Sequence, residues 1–198
     1  MSATPNKWLR LFTVGAAVFL FLTFAVYSFK KEYPGKTLPV LGQVRDFTLT
    51  DMNGEGFGLK KLLGRVWVAN FFFTTCSDIC PIMNKNMAAL TRSFELVRAV
   101  DFVSISVNPE HDSPTVLKQY AEKYQATKRW HFLTGSRDVI TDLAVKSFKL
   151  GDIKEPVFHS AYFSLVDRYG NIRGYYDGTK TEELNRLFKD AAKLLKEK

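Results

Sequence analysis

The two cysteines of this chain lie four positions apart, at Cys76 and Cys80, directly after an apolar run that ends at Phe73. Positions i and i+4 share one face of a helix, so we expect both sulfurs to reach one ligand or each other. A helix N-terminus lowers the pKa of a thiol and favours the thiolate, which is the nucleophile and the metal ligand. The motif therefore indicates thiol or soft-metal chemistry.

Three interpretations of the cysteine pair stay open at this point. A structural disulfide between Cys76 and Cys80 would close a very short loop and would stabilise the fold little through loop-closure entropy. A catalytic dithiol is possible, although the usual redox motif has two intervening residues and the third alters its geometry. A copper site is the third interpretation, because thiolates select Cu(I), and two thiolates with an imidazole also serve Cu(II).

A copper site needs a further ligand from the three histidines of the chain. His131 belongs to a strand-like run and is expected to pack or to lie on the surface. His111 is expected in a solvated turn between Asn108 and Pro114. His159 directly precedes a predicted hairpin, and in the fold that the order of strands and helices predicts, that approach passes beside the cysteines. We therefore predict His159 as the imidazole ligand.

Two acidic residues near the motif have alternative roles. Asp78 lies between the cysteines, where it serves either as a first-turn helix acid or as a carboxylate that orients His159 or tunes the thiolates. Asp112 is predicted to cap the helix that starts at Ser113 or to form part of an exposed acidic rim. Four other side chains are predicted to belong to the core: Met83, Met87, Phe158 and Tyr162.

The elements that must position these residues alternate between strand and helix. Strands are predicted at 46–51, 65–73, 101–107, 130–133, 161–167 and 172–176. Helices are predicted after Cys80, after Ser113, after Ser136 and after a capping box that begins at Thr179. This order is typical of a thioredoxin-like α/β fold, with a central mixed sheet flanked by helices.

The N-terminal segment is predicted to anchor the chain in a membrane. Residues 11–29 contain no charged side chain, and a helix of about 19 residues nearly spans a bilayer core. A cleaved signal peptide and a buried helix are the alternatives, but the run lacks a small-x-small cleavage site. We expect a cytoplasmic tail at 1–10, a single-pass inner-membrane anchor at 11–29, a linker at 30–43 and a periplasmic or extracytoplasmic domain at 44–198.

The net charge of +8 comes from basic residues spread along the chain. No basic run is interleaved with aromatic residues, so a nucleic-acid partner is not predicted. The pattern favours a solvated basic surface over a polyanion site.

From residue 44 to residue 198 the chain resembles the Sco/SenC family, the membrane-anchored, thioredoxin-like copper proteins of cytochrome c oxidase assembly. The resemblance is carried by the segments 69–81, 103–109, 112–114 and 130–135 and by His159. It implies that Cys76, Cys80 and His159 are the copper ligands. Three positions depart from the family pattern: Ser77 stands where Pro is common, Asn108 where Asp is common, and His111 where Arg is common.

The resemblance favours a metallochaperone that binds one copper and helps to assemble the dinuclear copper site of oxidase subunit II or of another copper-site protein. Copper donation and reduction of the target's cysteines both fit, as does exchange with another periplasmic copper chaperone or thiol reductant. Oxidation of Cys76 and Cys80 to a disulfide would abolish binding. The pattern is not that of a conventional enzyme. An anchored thiol–disulfide oxidoreductase and a copper or redox sensor are the alternatives.

Overall fold

The computed structural model describes residues 15–21, 23–24, 37–96, 100–150 and 160–197. The chain divides into two compact units, Met1–Thr37 and Leu38–Lys198. Residues 15–21 and 23–24 are helical, and within the described ranges no helix has the length and apolarity needed to cross a membrane. The predicted anchor at 11–29 lies partly outside those ranges. The second unit begins earlier than the expected boundary at Val44.

The second unit contains a mixed sheet and four α-helices in its described part. Its strands are β1 (Gly42–Gln43), β2 (Thr48–Asp51), β3 (Gly56–Gly58), β4 (Val66–Phe72), β5 (Val100–Ser106), β6 (Trp130–Thr134), β7 (Tyr162–Val166) and β8 (Asn171–Asp177). Its helices are α1 (Cys80–Ser93), α2 (Pro114–Lys123), α3 (Arg137–Asp142) and α4 (Thr181–Leu194). A 3₁₀ turn at Leu59–Lys61 and a π-helical turn at Leu143–Ser147 complete it.

The strands form one sheet in the order β1-β8-β7-β4-β5-β6-β2-β3. The pairs β4–β5 and β5–β6 are parallel, and the outer pairs are antiparallel. Every residue of β4 and β5 is buried, as predicted for central strands covered on both faces, although each strand includes buried polar residues. The predicted thioredoxin-like α/β arrangement is confirmed, and it places the cysteine motif after the carboxyl end of the central strand β4.

The sheet separates two apolar cores. On one face, β4 residues such as Val68 and Phe72 pack with α1, α2 and α4, and Met83 and Met87 are fully buried there, as predicted. On the other face, Trp67, Phe71 and the π-helical turn form the second core. The core prediction for Tyr162 is wrong, because its side chain at the start of β7 is 46% exposed. Phe158 lies outside the described residues.

A polar ladder crosses the first core. The indole Nε1 of Trp130 donates to Ser104 Oγ at 2.8 Å, and Ser104 Oγ donates to Asn70 Oδ1 at 2.6 Å. The three residues lie on β6, β5 and β4, and all three are buried. Since buried polar groups without partners are costly, these bonds favour one register of the three parallel strands.

Arg173 on β8 holds both ends of the second unit. Its guanidinium is paired with Asp167 Oδ2 at 2.8 Å and with Glu197 Oε2 at 3.2 Å. Its Nε also donates to the carbonyl oxygens of Leu38 at 3.1 Å and Pro39 at 3.2 Å. The guanidinium therefore joins groups from the first and last parts of the unit.

One predicted helix cap, Ser136 for α3, is confirmed, and two, Asp112 for α2 and Thr179 for α4, are wrong. Ser113 accepts from the backbone N–H of Val116, and Ser136 caps α3 in the same way. Thr179 does not cap α4, because its hydroxyl donates to Asp177 Oδ1 at 2.6 Å in the preceding turn. The extended residue before α4 is Lys180, which has no side-chain cap.

Candidate metal centre

The cysteine motif lies between the carboxyl end of β4 and the start of α1. The backbone N–H of Cys76 donates to Phe73 O at 3.2 Å in a turn, and α1 begins only at Cys80. The expectation that both cysteines share one helix face is therefore wrong. Pro81 explains the difference, since a proline has no N–H to donate and is tolerated only in the first turn of a helix.

The two thiols are nevertheless in contact. Cys76 and Cys80 are free and buried, and they are joined by a side-chain hydrogen bond. Burial and the adjacent Cys76 sulfur raise the pKa of Cys80 to about 12. Burial would also raise the pKa of Cys76, but hydrogen bonds from the Cys80 thiol and from backbone N–H groups lower it. The pair therefore consists of a protonated donor and a sulfur that readily becomes a thiolate.

Asp78 contacts the pair through its main chain. Its backbone N–H is one of the groups that stabilise the Cys76 thiolate, whereas its side chain is exposed. His159, the predicted imidazole ligand, lies outside the described residues. Within the ranges that the structure covers, no group of three or more His, Cys, Asp or Glu side chains is assembled as a metal site. The described part of the centre is thus the dithiol.

Asp112 supports the cysteine loop from the loop that follows the neighbouring strand β5. Both predicted roles are wrong, because Ser113 caps α2 and the Asp112 carboxylate is fully buried. Asp112 Oδ2 accepts from the backbone N–H of Thr74 at 3.0 Å and from Ser106 Oγ at 2.6 Å. The carboxyl ends of adjacent parallel strands meet at one sheet edge, and this rule could have placed Asp112 beside the cysteines.

His111 also lies beside this loop. Its ring is about half exposed, and Nδ1 lies 3.0 Å from Asp112 Oδ1 and 3.3 Å from Thr74 Oγ1. The solvated-turn prediction is correct for its exposure but missed these contacts. His131, by contrast, packs against Phe57 with 4.7 Å between ring centroids and lies towards the amino end of β6, away from the cysteines.

Asn84 and Tyr120 form a buried polar contact near Cys80. Asn84 lies one turn after Cys80 in α1, and its Nδ2 donates to Tyr120 Oη at 2.9 Å. Burial raises the pKa of Tyr120 well above its usual range, and Cys80 contributes to that shift. The phenol is therefore neutral, and its ring packs on Phe72 with 5.3 Å between centroids. The i, i+4 spacing from Cys80 is a sequence signal that could have identified Asn84.

A reduced, buried dithiol at the end of the central strand of this sheet defines a thioredoxin-like dithiol protein. Such a pair can bind a soft metal ion, since thiolates are soft ligands, or can exchange disulfides. The SCO1/SenC family model matches residues 39–196. The chain belongs to the SCO1/SenC family.

Individual relatives agree with this assignment. The SCO1 protein homolog of Bacillus subtilis (strain 168) is 35% identical over 160 residues, which cover 77% of this chain and 82% of that protein. The structure of BsSco, a Sco-family cytochrome c oxidase assembly protein with a disulfide switch, has 34% identity and a TM-score of 0.72. It covers 81% of this chain and 98% of that chain. Arabidopsis thaliana ScoI with copper bound has 26% identity and a TM-score of 0.65, and it covers 80% of this chain and 99% of that chain.

Proposed function

We propose that this chain binds one copper ion through Cys76, Cys80 and His159 and serves in cytochrome c oxidase assembly. The observation that carries the proposal is the contact between two reduced thiols at the start of α1, one with a lowered and one with a raised pKa. Two sulfurs are a soft ligand set that suits copper. Copper-bound Arabidopsis ScoI and the oxidase assembly protein BsSco support the same reading.

The donor set fits copper as the cargo of the protein. Metal-bound sulfurs are thiolates, so Cys76 is already disposed to bind, and Cys80 must release its proton on binding. Strand order supports His159 as the third ligand. It precedes β7, which runs antiparallel to β4, so the start of β7 lies at the sheet edge where β4 ends.

The proposed acceptor of copper is the dinuclear site of oxidase subunit II or another copper-site protein. Transfer would proceed by ligand exchange, as the partner's thiols replace Cys76 and Cys80 one at a time. The proposed location is the inner membrane, with residues 11–29 as a single-pass anchor, 30–43 as a linker and the folded domain outside the cytoplasm. Another periplasmic copper chaperone or a thiol reductant would load or reduce the site.

Disulfide exchange is a second candidate, favoured by the unequal thiols. The Cys76 thiolate would attack a target disulfide, form a mixed disulfide and release one target thiolate. Cys80, after losing its proton, would then attack the Cys76 sulfur, leaving a Cys76–Cys80 disulfide and a reduced target. The raised pKa of Cys80 opposes both this second step and copper binding, so the preference for copper rests on the copper-bound relative and not on the thiol pKa.

An anaerobic titration of the reduced protein with Cu(I), against a competing chelator, tests the proposal. We expect one equivalent to bind, the Cys76→Ser variant to lose tight binding, and His159→Ala to weaken it by at least about ten-fold. His131→Ala is the matched control, because His131 packs on Phe57 and should leave affinity unchanged. Binding that is indifferent to both cysteines, together with His159-independent reduction of a disulfide peptide, would favour exchange instead.

A further inference from the structure

A cleft lies at the end of the parallel strands opposite to the cysteines. Its volume is about 920 Å³, within the range of small-molecule sites. Arg65 directly precedes β4, Asp101 lies at the start of β5, and Arg129 directly precedes β6. Since the cysteine motif follows the carboxyl end of β4, this cleft is not part of the proposed copper centre.

The lining of the cleft is basic. Its charged side chains are five cations, Lys61, Arg65, Arg92, Lys128 and Arg129, and two carboxylates, Glu95 and Asp101. Burial lowers the pKa of His131, which also lines the cleft, so this imidazole is neutral near pH 7. The lining therefore has a net charge of +3. The sequence favoured a dispersed, solvated basic surface, whereas the fold brings residues from four separate segments into one concave surface.

The buried ion pairs leave several of these cations available. Asp101 is 5% exposed and is shared by Arg65 and by Arg129, whose Nη1 lies 3.2 Å from Asp101 Oδ1. Among the described residues, no carboxylate forms an ion pair with Lys61, Arg92 or Lys128, and all three are exposed. Three exposed cations thus surround a floor that contains the buried Asp101 carboxylate.

One wall of the cleft is aromatic. The rings of Phe57 and His131 are 4.7 Å apart, and the Nζ of Lys61 lies 5.4 Å from the centroid of Phe57. The cation of Lys61 is therefore held over an apolar surface at the rim rather than in an ion pair. A compact anion could accept hydrogen bonds from the cations while it contacts this wall.

We propose that the cleft binds a small phosphate-bearing anion. Guanidinium and ammonium groups supply the charge-assisted hydrogen bonds that phosphate oxygens accept, and the concave shape brings several of them to one ligand. The site depends on Lys61, Arg92 and Lys128 and does not involve the cysteines. The phosphate can belong to a soluble polyphosphate or to a lipid headgroup.

Calorimetric titration of the full-length, reduced protein at low ionic strength tests this proposal. The probes are inorganic pyrophosphate and glycerophosphoglycerol, the soluble headgroup of phosphatidylglycerol. We expect pyrophosphate to bind with one-to-one stoichiometry, and the triple variant K61Q/R92Q/K128Q to weaken binding by at least about ten-fold. Equal or tighter binding of glycerophosphoglycerol would assign the phosphate to a lipid.

The matched control is K85Q/K118Q/K189Q, which removes three exposed positive charges outside the cleft. It should bind the probes as the unmodified protein does, and both triple variants should retain the thermal unfolding midpoint and the copper stoichiometry. Failure of the unmodified protein to bind either probe, or an equal loss in both triple variants, would overturn the proposal. A failed copper titration would leave this test unaffected.

Discussion

Asp112 accepts a hydrogen bond from the backbone N–H of Thr74 at 3.0 Å, so a fully buried carboxylate on one loop holds the loop that carries Cys76. The same carboxylate also accepts from the hydroxyl of Ser106. These bonds join the loop after β4 to the end of β5 and the loop that follows it. They hold the backbone just before Cys76 in place.

Replacement of this carboxylate should loosen the cysteine loop. Asp112→Asn puts an amide donor against groups that are themselves donors, so we expect the free energy of unfolding to fall by about 1–3 kcal/mol. Urea denaturation of the reduced, metal-free protein measures this change. Asp138 is exposed, so Asp138→Asn is the control, and its free energy of unfolding should stay within about 0.5 kcal/mol of that of the unmodified protein. Equal effects of both substitutions would show that Asp112 does not anchor the loop.

The two cysteines should differ in reactivity. At pH 7–8, iodoacetamide should alkylate Cys76 before Cys80, because the pKa of Cys76 is lowered and that of Cys80 is raised to about 12. Both cysteines are buried, at 8% and 5% residue exposure. Peptide mapping by mass spectrometry after timed quenching gives the two rates. Faster labelling of Cys80 would contradict the assignment of the thiolate to Cys76.

The Arg173 cluster should contribute strongly to stability. Arg173→Ala leaves the buried Asp167 carboxylate without its guanidinium, and we expect a loss of about 3 kcal/mol in the free energy of unfolding. Arg137→Ala is the control, because it removes only the exposed pair with Glu110 and should cost at most about 1 kcal/mol. Urea denaturation near neutral pH measures both variants. Similar losses in Arg173→Ala and Arg137→Ala would show that burial does not make the Arg173–Asp167 pair more important for stability.

Acid should weaken the same cluster in a defined direction. Burial opposes ionisation of Asp167, but hydrogen bonds from Arg173 and from the N–H groups of Asn171 and Tyr169 outweigh it and lower the pKa of Asp167. A carboxyl whose folded pKa is depressed stabilises the fold above its unfolded pKa of about 3.9, and that stability is lost as pH falls through the folded value. As the pH falls from 6, the free energy of unfolding should therefore decline less in Asp167→Asn than in the unmodified protein. The variant should also be less stable at pH 6. Parallel pH profiles would contradict this account.

Gly170 should resist substitution for a backbone reason. It has φ of +81° in the turn between β7 and β8, a conformation that costs other residues about 1–2 kcal/mol. Gly170→Ala should therefore lower the free energy of unfolding by about 1 kcal/mol. Gly56→Ala is the control, because an added Cβ there meets no atom within 4 Å and its φ is not positive. Thermal unfolding measures the change in stability of both variants. Equal losses in Gly170→Ala and Gly56→Ala would argue against this explanation.

The central part of the fold follows from local sequence signals. The apolar run 65–73 predicts β4 at Val66–Phe72, and the Ser-Pro pair at 113–114 predicts the start of α2. These signals are strong because full burial and proline chemistry act within a few residues. The strand β1 was not predicted, since Gly42–Gln43 is held only by pairing with the distant β8.

The candidate site could be predicted in part. Cys76 and Cys80 are only four positions apart, and their contact needs only a turn before a helix. Spacing places Asn84 one turn after Cys80, and the rule for parallel strands places Asp112 at the same sheet edge, but their hydrogen-bond partners, Tyr120 and Thr74, depend on tertiary packing that no local pattern specifies. The basic cleft has the same origin, because Lys61 and Lys128 are distant in sequence and converge only in the folded sheet.

The bonds from Arg173 to both ends of the second unit have a mechanical consequence. Tension on the chain before Leu38 would be resisted first by this guanidinium and by the two β1–β8 residue pairs at the edge of the sheet. The strand β7 lies between β8 and β4, so such a load reaches the cysteine loop only after crossing two further strand interfaces. We therefore expect a pull on the chain before Leu38 to load this guanidinium and the edge of the sheet before it loads the dithiol.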